Sequence, residues 1–331
     1  MGRPAPAAVL ALGALLLAAS LPACAPEVGT APLGDAELSW ARALRRAREA
    51  GWPYPLIGRM RGAIEETPAA ARPLCDIVYD LADGRIEPEP ALEVVRACGA
   101  VLAAGTPGDP VAAAVQLESR ADYPAEPLLQ TVALLGEVHA GGQAPDPLVK
   151  ALERAAVFKA PAAATLQILR DMAAARDAVP LVDQADLFEE ALGRRGRHAE
   201  ADAAVAAFRQ AVREGLPSAD LSAACRRRIR TGMQTSRLPG WLREVQAWPV
   251  PPLSRPSALR LIAAGLAYGL PDEEVAAFGG FVARSSLDAA DAEVLAVRLE
   301  ANLRRKLRGR ALLDGTLEGF SGASSRAPAD R

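Results

Sequence analysis

Histidine is nearly missing from these 331 residues: there are two, His139 and His198, 59 positions apart. That spacing pairs no ligands, so a histidine-rich zinc site is excluded, and neither a metal nor a cofactor is expected. Lysine is almost as scarce, standing only at Lys150, Lys159 and Lys306, while arginine supplies the other 35 of 38 basic residues. Beside so much alanine, this bias reads as the mark of a GC-rich genome and not as arginine-specific chemistry. The formal net charge of −2 lacks the basic footprint of a nucleic-acid binder. Gly-x-Ser-x-Gly, Ser-x-x-Lys and Gly-Lys phosphate-loop motifs are all absent, which removes the commonest serine-hydrolase and nucleotide signatures. No stretch alternates apolar and polar residues with period two, so no sheet is expected. The N-terminal apolar core, from Ala7 to Ala19, has thirteen residues, short of the roughly 18 of a spanning helix, and after Cys24 no other uncharged run approaches that length.

That run, preceded by Arg3, has the length of a signal peptide's apolar core. It closes on Leu21, Pro22, Ala23 and Cys24. This tetrapeptide resembles the bacterial lipobox, with an aliphatic residue three before the cysteine and a small one just before it; Pro22 is the departure from the usual pattern. The resemblance implies removal of residues 1–23 and acylation of Cys24, with two or three chains making the attachment durable where one is marginal. Ala25, in place of Asp, goes with delivery to the outer membrane. Ala18, Ala19 and Ser20 form a small-residue cleavage site, so plain secretion is the other reading. Residues 24–34 hold Pro26, Gly29, Pro32 and Gly34 without periodicity and read as a tether with a reach of roughly 17 Å.

From Asp35, read as an N-cap, the pattern is helical, and the fold class expected is all-α. One punctuation recurs: Gly51-Trp52-Pro53, Gly105-Thr106-Pro107, Gly215-Leu216-Pro217 and Gly269-Leu270-Pro271, with looser forms at Gly84 to Pro88 and Gly142 to Pro145. Glycine suits the left-handed position that ends a helix, the next residue packs back on the last turn, and proline suits the first turn of a new helix. The stops lie 33 residues apart from Gly51 to Gly84, 37 from Gly105 to Gly142, and 73, about two units, from Gly142 to Gly215. A period in the mid-thirties is that of a helical hairpin, which cannot bury its apolar stripe without neighbours. The stripes are plain at Leu74, Ile77, Val78 and Leu81, at Leu148, Leu152 and Ala155, and at Ala201, Val205, Phe208 and Val212.

These features predict an α-solenoid-like array of antiparallel hairpins over 35–248, a Pro-rich connection over 249–256, a terminal helical region over 257–315 and a tail over 316–331. The terminal region reads either as a separate subdomain or as a continuation of the array. The repeats do not fit the tetratricopeptide pattern. They resemble the degenerate helical repeats, with Gly-Leu-Pro-type turns, of bacterial envelope proteins of uncharacterised role; that resemblance implies architecture alone.

Of the four cysteines, Cys75 and Cys98 flank the Gly84–Pro88 turn almost symmetrically. Antiparallel helices would set them at one height, leaving two readings open, a disulfide or two buried thiols. Cys225 shares a stripe with Leu221 and Ile229 and reads as buried and unpaired. Trp241 and Trp248, seven apart, share a helix face beside the proline-rich segment; they read as core packing or as a binding surface. Basic runs at Arg226, Arg227, Arg228 and Arg230, and from Arg304 to Arg310, read as solvated helix ends or as contacts for anionic lipids or polymers.

The expected function is a non-enzymatic, membrane-anchored scaffold that binds an envelope protein or polymer, lies on the periplasmic face of the outer membrane and binds no nucleic acid. The alternative is a peptidoglycan-active enzyme. Glu118 with Ser119, and Gly232, Met233 and Gln234, echo two elements of lytic transglycosylases, but more than a hundred residues separate them and the intervening aromatic pattern is absent, so no catalytic residue is assigned.

Overall fold

The computed structural model describes residues 33–193, 197–247, 255–276, 278 and 289–318. The expected signal peptide, Cys24, nearly all of the tether, Trp248, residues 249–254 and the tail from 319 lie outside them. Among the described residues every regular element is helical. In chain order they are α1 (Leu33–Glu49), α2 (Tyr54–Glu65), a 3-10 turn (Pro68–Ala70), α3 (Ala71–Asp83), α4 (Pro88–Ala103), α5 (Gly108–Arg120), α6 (Ala125–Ala140), α7 (Asp146–Val157), α8 (Ala162–Ala174), α9 (Leu181–Gly193), α10 (His198–Arg213), α11 (Ser218–Arg230), a 3-10 turn (Thr235–Arg237), α12 (Leu238–Gln246), α13 (Arg255–Ala267), α14 (Ala289–Arg304) and α15 (Gly309–Leu317). α1 starts before Asp35, which therefore lies within the helix and does not cap it.

The turns follow one rule. At Gly51, Arg85, Gly105, Asp122, Gly142, Lys159, Gly215, Gly232, Gly269 and Lys306 the backbone turns left-handed. At each, the amide of the next residue bonds to the carbonyl five residues back, as in Tyr123 to Glu118 at 3.0 Å and Ala160 to Ala155 at 2.9 Å. This is the Schellman closure, which satisfies carbonyls left without partners at a helix end. Proline then occupies the N-cap of α2, α5, α6, α7, α8 and α11, where its missing N–H costs nothing. At the Gly84 turn the expected role of glycine is corrected: the left-handed residue is Arg85, with φ 58°. Gly84 is needed for a different reason, since a Cβ on it would lie 2.6 Å from Ser119 Cβ of α5.

Arg85, Asp122 and Lys159 stand 37 residues apart, as do Gly232, Gly269 and Lys306, and Gly105 and Gly142. The packing has the same period. α1 lies on α3, α3 on α5, α5 on α7, α7 on α9, α9 on α11 and α11 on α13; α2 lies on α4, α4 on α6, and α6 on α8. Odd and even helices thus make two rows that share one core. Leu74, Ile77, Val78 and Leu81 of α3 are 0% exposed, and burial of each such side chain contributes about 1.5–3 kcal/mol, which a lone hairpin would forfeit. α13 packs on α11 and α14 on α13, so the chain beyond the proline-rich segment extends the odd row.

Polar contacts between helices keep this register. Gln116 Nε2 donates to Asp80 Oδ1 at 3.3 Å, Ser218 Oγ to Asp183 Oδ2 at 2.6 Å and Arg170 Nη2 to Gln130 Oε1 at 2.6 Å, each joining a helix to the one two places along. On α9, Asp186 receives Lys150 from α7 and Arg226 from α11, both at 2.7 Å, while Glu189 binds Arg154 at 2.7 Å and Glu190 binds Arg230 at 2.6 Å. Arg228 pairs with Asp272. The basic run of α11 is therefore largely engaged within the array and is not a free cationic face.

Candidate functional site

The two-row pattern fails at one joint. No packing comparable to α6 on α8 connects α8 to α10; α10 leans on α9 instead, more closely than α4 on α3 or α6 on α5. Polar groups occupy the seam so formed. Arg209 of α10 is buried, its side chain 8% exposed, and Nη2 reaches Asp171 Oδ2 of α8 at 3.9 Å, too far for a hydrogen bond. Its Nη1 has no partner, and neither have Asp202 Oδ1 or His198 Nε2 on the same helix. His198 begins α10, edge-on to Phe188 of α9 with ring centroids 5.9 Å apart.

Burial sets the protonation here. It lowers the His198 imidazole below its ordinary range, opposed in part by the Asp202 charge. It raises the Asp202 carboxyl, helped by Asp171 and opposed by Arg209 and His198. It also lowers the Arg209 guanidinium, against the pull of Asp171 and Asp202. A buried charge with half-made partners is costly. Chemically the seam offers a guanidinium N–H, a carboxyl oxygen and an imidazole nitrogen, a set suited to hydrogen-bonding groups. Sequence reasoning missed Asp202 and Arg209. The signal was their seven-residue spacing, which places both on one face of a helix otherwise read from its apolar stripe.

Glu118 of α5 is 2% exposed. Thr131 Oγ1 of α6 donates to its Oε1 at 2.6 Å, while Oε2 and the neighbouring Ser119 Oγ have no partner. Burial pushes the carboxyl up to about 7, with the Thr131 bond pulling the other way. That value suits a general acid, but a general acid must touch its substrate. Glu118 is enclosed by α5 and α6, and Gly84 closes over Ser119. Gly232, Met233 and Gln234 sit at the end of α11, three hairpins further on.

Trp241 of α12 is 5% exposed; its Nε1 donates to Asp272 Oδ2 at 3.3 Å, and the Arg228 guanidinium lies over its ring, 5.2 Å from the centroid. Trp248 and Cys24 lie outside the described residues. Cys75, Cys98 and Cys225 are buried free thiols, so the disulfide weighed for Cys75 and Cys98 is not formed. Cys75 Sγ lies 3.9 Å from the Ala36 carbonyl of α1, directed along the odd row and not toward α4. Burial pushes the thiols up, Cys75 to about 11 and Cys98 to about 12. Among the described residues no three His, Cys, Asp or Glu side chains gather to hold a metal, and no helix is long and apolar enough to cross a membrane. No family model matches the sequence, and neither the curated proteins nor the solved structures include one that matches it.

Proposed function

We propose that this chain is a bacterial envelope lipoprotein, held at the periplasmic face of the outer membrane by acyl chains on Cys24, whose helices form a solenoid-like scaffold for an envelope protein or polymer. The observation that supports the scaffold reading is the stacking of most helices on the one two places along, with left-handed turns recurring at 37-residue spacings. An array of this kind has no single enclosed centre; it exposes a long surface, and repeat arrays use such surfaces for binding. Anchoring is supported by the lipobox resemblance at Leu21 to Cys24.

The test is crosslinking in intact cells followed by purification and mass spectrometry. The expected result is an N-terminal peptide whose mass places acyl chains on Cys24, together with a dominant envelope partner crosslinked to the helices. An N-terminus at Cys24 or beyond that carries no acyl chain would overturn the anchor. If the purified protein cleaved cell-wall material and a glutamate substitution stopped it, the scaffold reading would fall.

A further inference from the structure

α1 opens the odd row. One flank packs on α3; among the described residues no helix lies against the other, which carries Leu38, 68% exposed, then Ala41, Arg45 and Arg48, all exposed at helical spacing. Ala41, Leu44, Arg45, Arg48 and Glu49, the last paired with Arg46, line a shallow groove of about 480 Å³ beside it. Tyr54, 64% exposed at the start of α2, extends the patch, its ring 5.3 Å from the Arg48 guanidinium. Among the described residues Arg42, Arg45 and Arg48 are in no ion pair, whereas the neighbouring Arg46 is held by Glu49 and Asp83; Arg42 leans over the Tyr79 ring of α3, 5.6 Å from its centroid, and Arg45 and Arg48 stand on the open flank. An aliphatic side chain, a tyrosine and unpaired arginines on one helix flank are the chemistry of a lipid–water interface.

We infer that this open flank of α1, with Tyr54, lies against anionic lipid headgroups. The inference rests on the anchoring proposed above. Nine steps of chain separate Cys24 from Leu33, each of at most about 3.6 Å, so α1 is the described element tied most closely to the anchor. Each basic side chain near an anionic surface adds attraction that salt screens. The contact thus orients the array on the membrane, and the acyl chains hold it there.

The test uses residues 25–331, which retain every described helix, mixed at low salt with vesicles of phosphatidylcholine alone or with about one third phosphatidylglycerol. The wild-type protein should sediment at least tenfold more strongly with the anionic vesicles, be released by high salt, and show slower deuterium uptake in α1 but not in α3. Reversing the charges together, Arg42→Glu, Arg45→Glu and Arg48→Glu, should abolish both effects. The same change in net charge at exposed positions elsewhere, Arg59→Glu, Arg96→Glu and Arg213→Glu, should abolish neither. Equal binding to both vesicles, or equal loss in the two triple variants, would overturn the inference. So would protection of α1 that rises with protein concentration in the absence of vesicles, because a second copy would then be the occupant. No acyl chain is present in this assay, so its failure is distinct from failure of the Cys24 anchor, which is read from the N-terminal peptide mass.

Discussion

The Tyr123 hydroxyl donates to the Ala160 carbonyl oxygen at 2.6 Å across 37 residues. Each residue is the first after a left-handed turn, so this bond joins equivalent points of consecutive hairpins, and Thr165 Oγ1 lies 3.1 Å from the same hydroxyl. Tyr123→Phe keeps the ring and strips the bond, leaving a buried carbonyl and hydroxyl to lose a partner. A loss of about 1–2 kcal/mol in denaturant-melt stability is expected, with faster deuterium exchange confined to the turn around Ala160. An unchanged midpoint would show that the bond does not couple the hairpins.

Glu118 makes stability fall as pH rises. Its carboxyl titrates at about 7 in the folded chain against an ordinary 4.5. Because the folded value is the higher, the full contribution is present below about pH 4.5, where both states are protonated, and is lost progressively up to about pH 7. The loss is on the order of 3 kcal/mol at about 1.4 kcal/mol per pH step. Glu118→Gln cannot ionise and still accepts from Thr131, so the difference in unfolding free energy between wild type and variant should change across that window. A constant difference from pH 4 to 8 would contradict the burial argument.

Gly84 and Arg85 are neighbours with opposite tolerances. Gly84→Ala forces a methyl into the Ser119 backbone, whose carbonyl oxygen would be 2.7 Å away, and should cost about 1–3 kcal/mol as overpacking. Arg85→Gly removes a side chain from a left-handed position and should stabilise by up to about 1 kcal/mol. Thermal melts of the two variants should move in opposite directions.

At the α8–α10 seam, Arg209→Met replaces a buried, poorly paired charge by a flexible apolar side chain. Such replacements are often neutral or stabilising, here by up to about 2 kcal/mol. Asp171→Asn keeps the hydrogen bond that Gln167 donates at 2.8 Å but removes the charge facing Arg209, and should destabilise. A strongly destabilised Arg209→Met would mean that the guanidinium is better satisfied than its 3.9 Å contact indicates.

The helical class, the apolar stripes and the glycine-marked turns were legible in the sequence, because each depends on residues a few positions apart. The stripe Leu74, Ile77, Val78 and Leu81 was read from spacing alone and is wholly buried. Other turns of the same kind are not legible. At Asp122 and Lys159 a residue other than glycine takes the left-handed position, and at the Gly84 turn it is Arg85, so the recurrent 37-residue spacing is hidden, although Asp122-Tyr123-Pro124 and Lys159-Ala160-Pro161 keep the proline.

What the sequence by itself determined is local: where most helices begin and end, and which face of each is apolar. What only the tertiary structure decided is which helices meet. A basic run such as Arg226 to Arg230 has no partner visible within its own helix; its carboxylates Asp186 and Glu190 stand 40 residues away. The same holds for Asp202 and Arg209. Their charges are ordinary on an exposed helix and become a poorly satisfied buried cluster because α10 leans on α9 and leaves α8, an outcome of packing geometry that no stretch of one helix encodes.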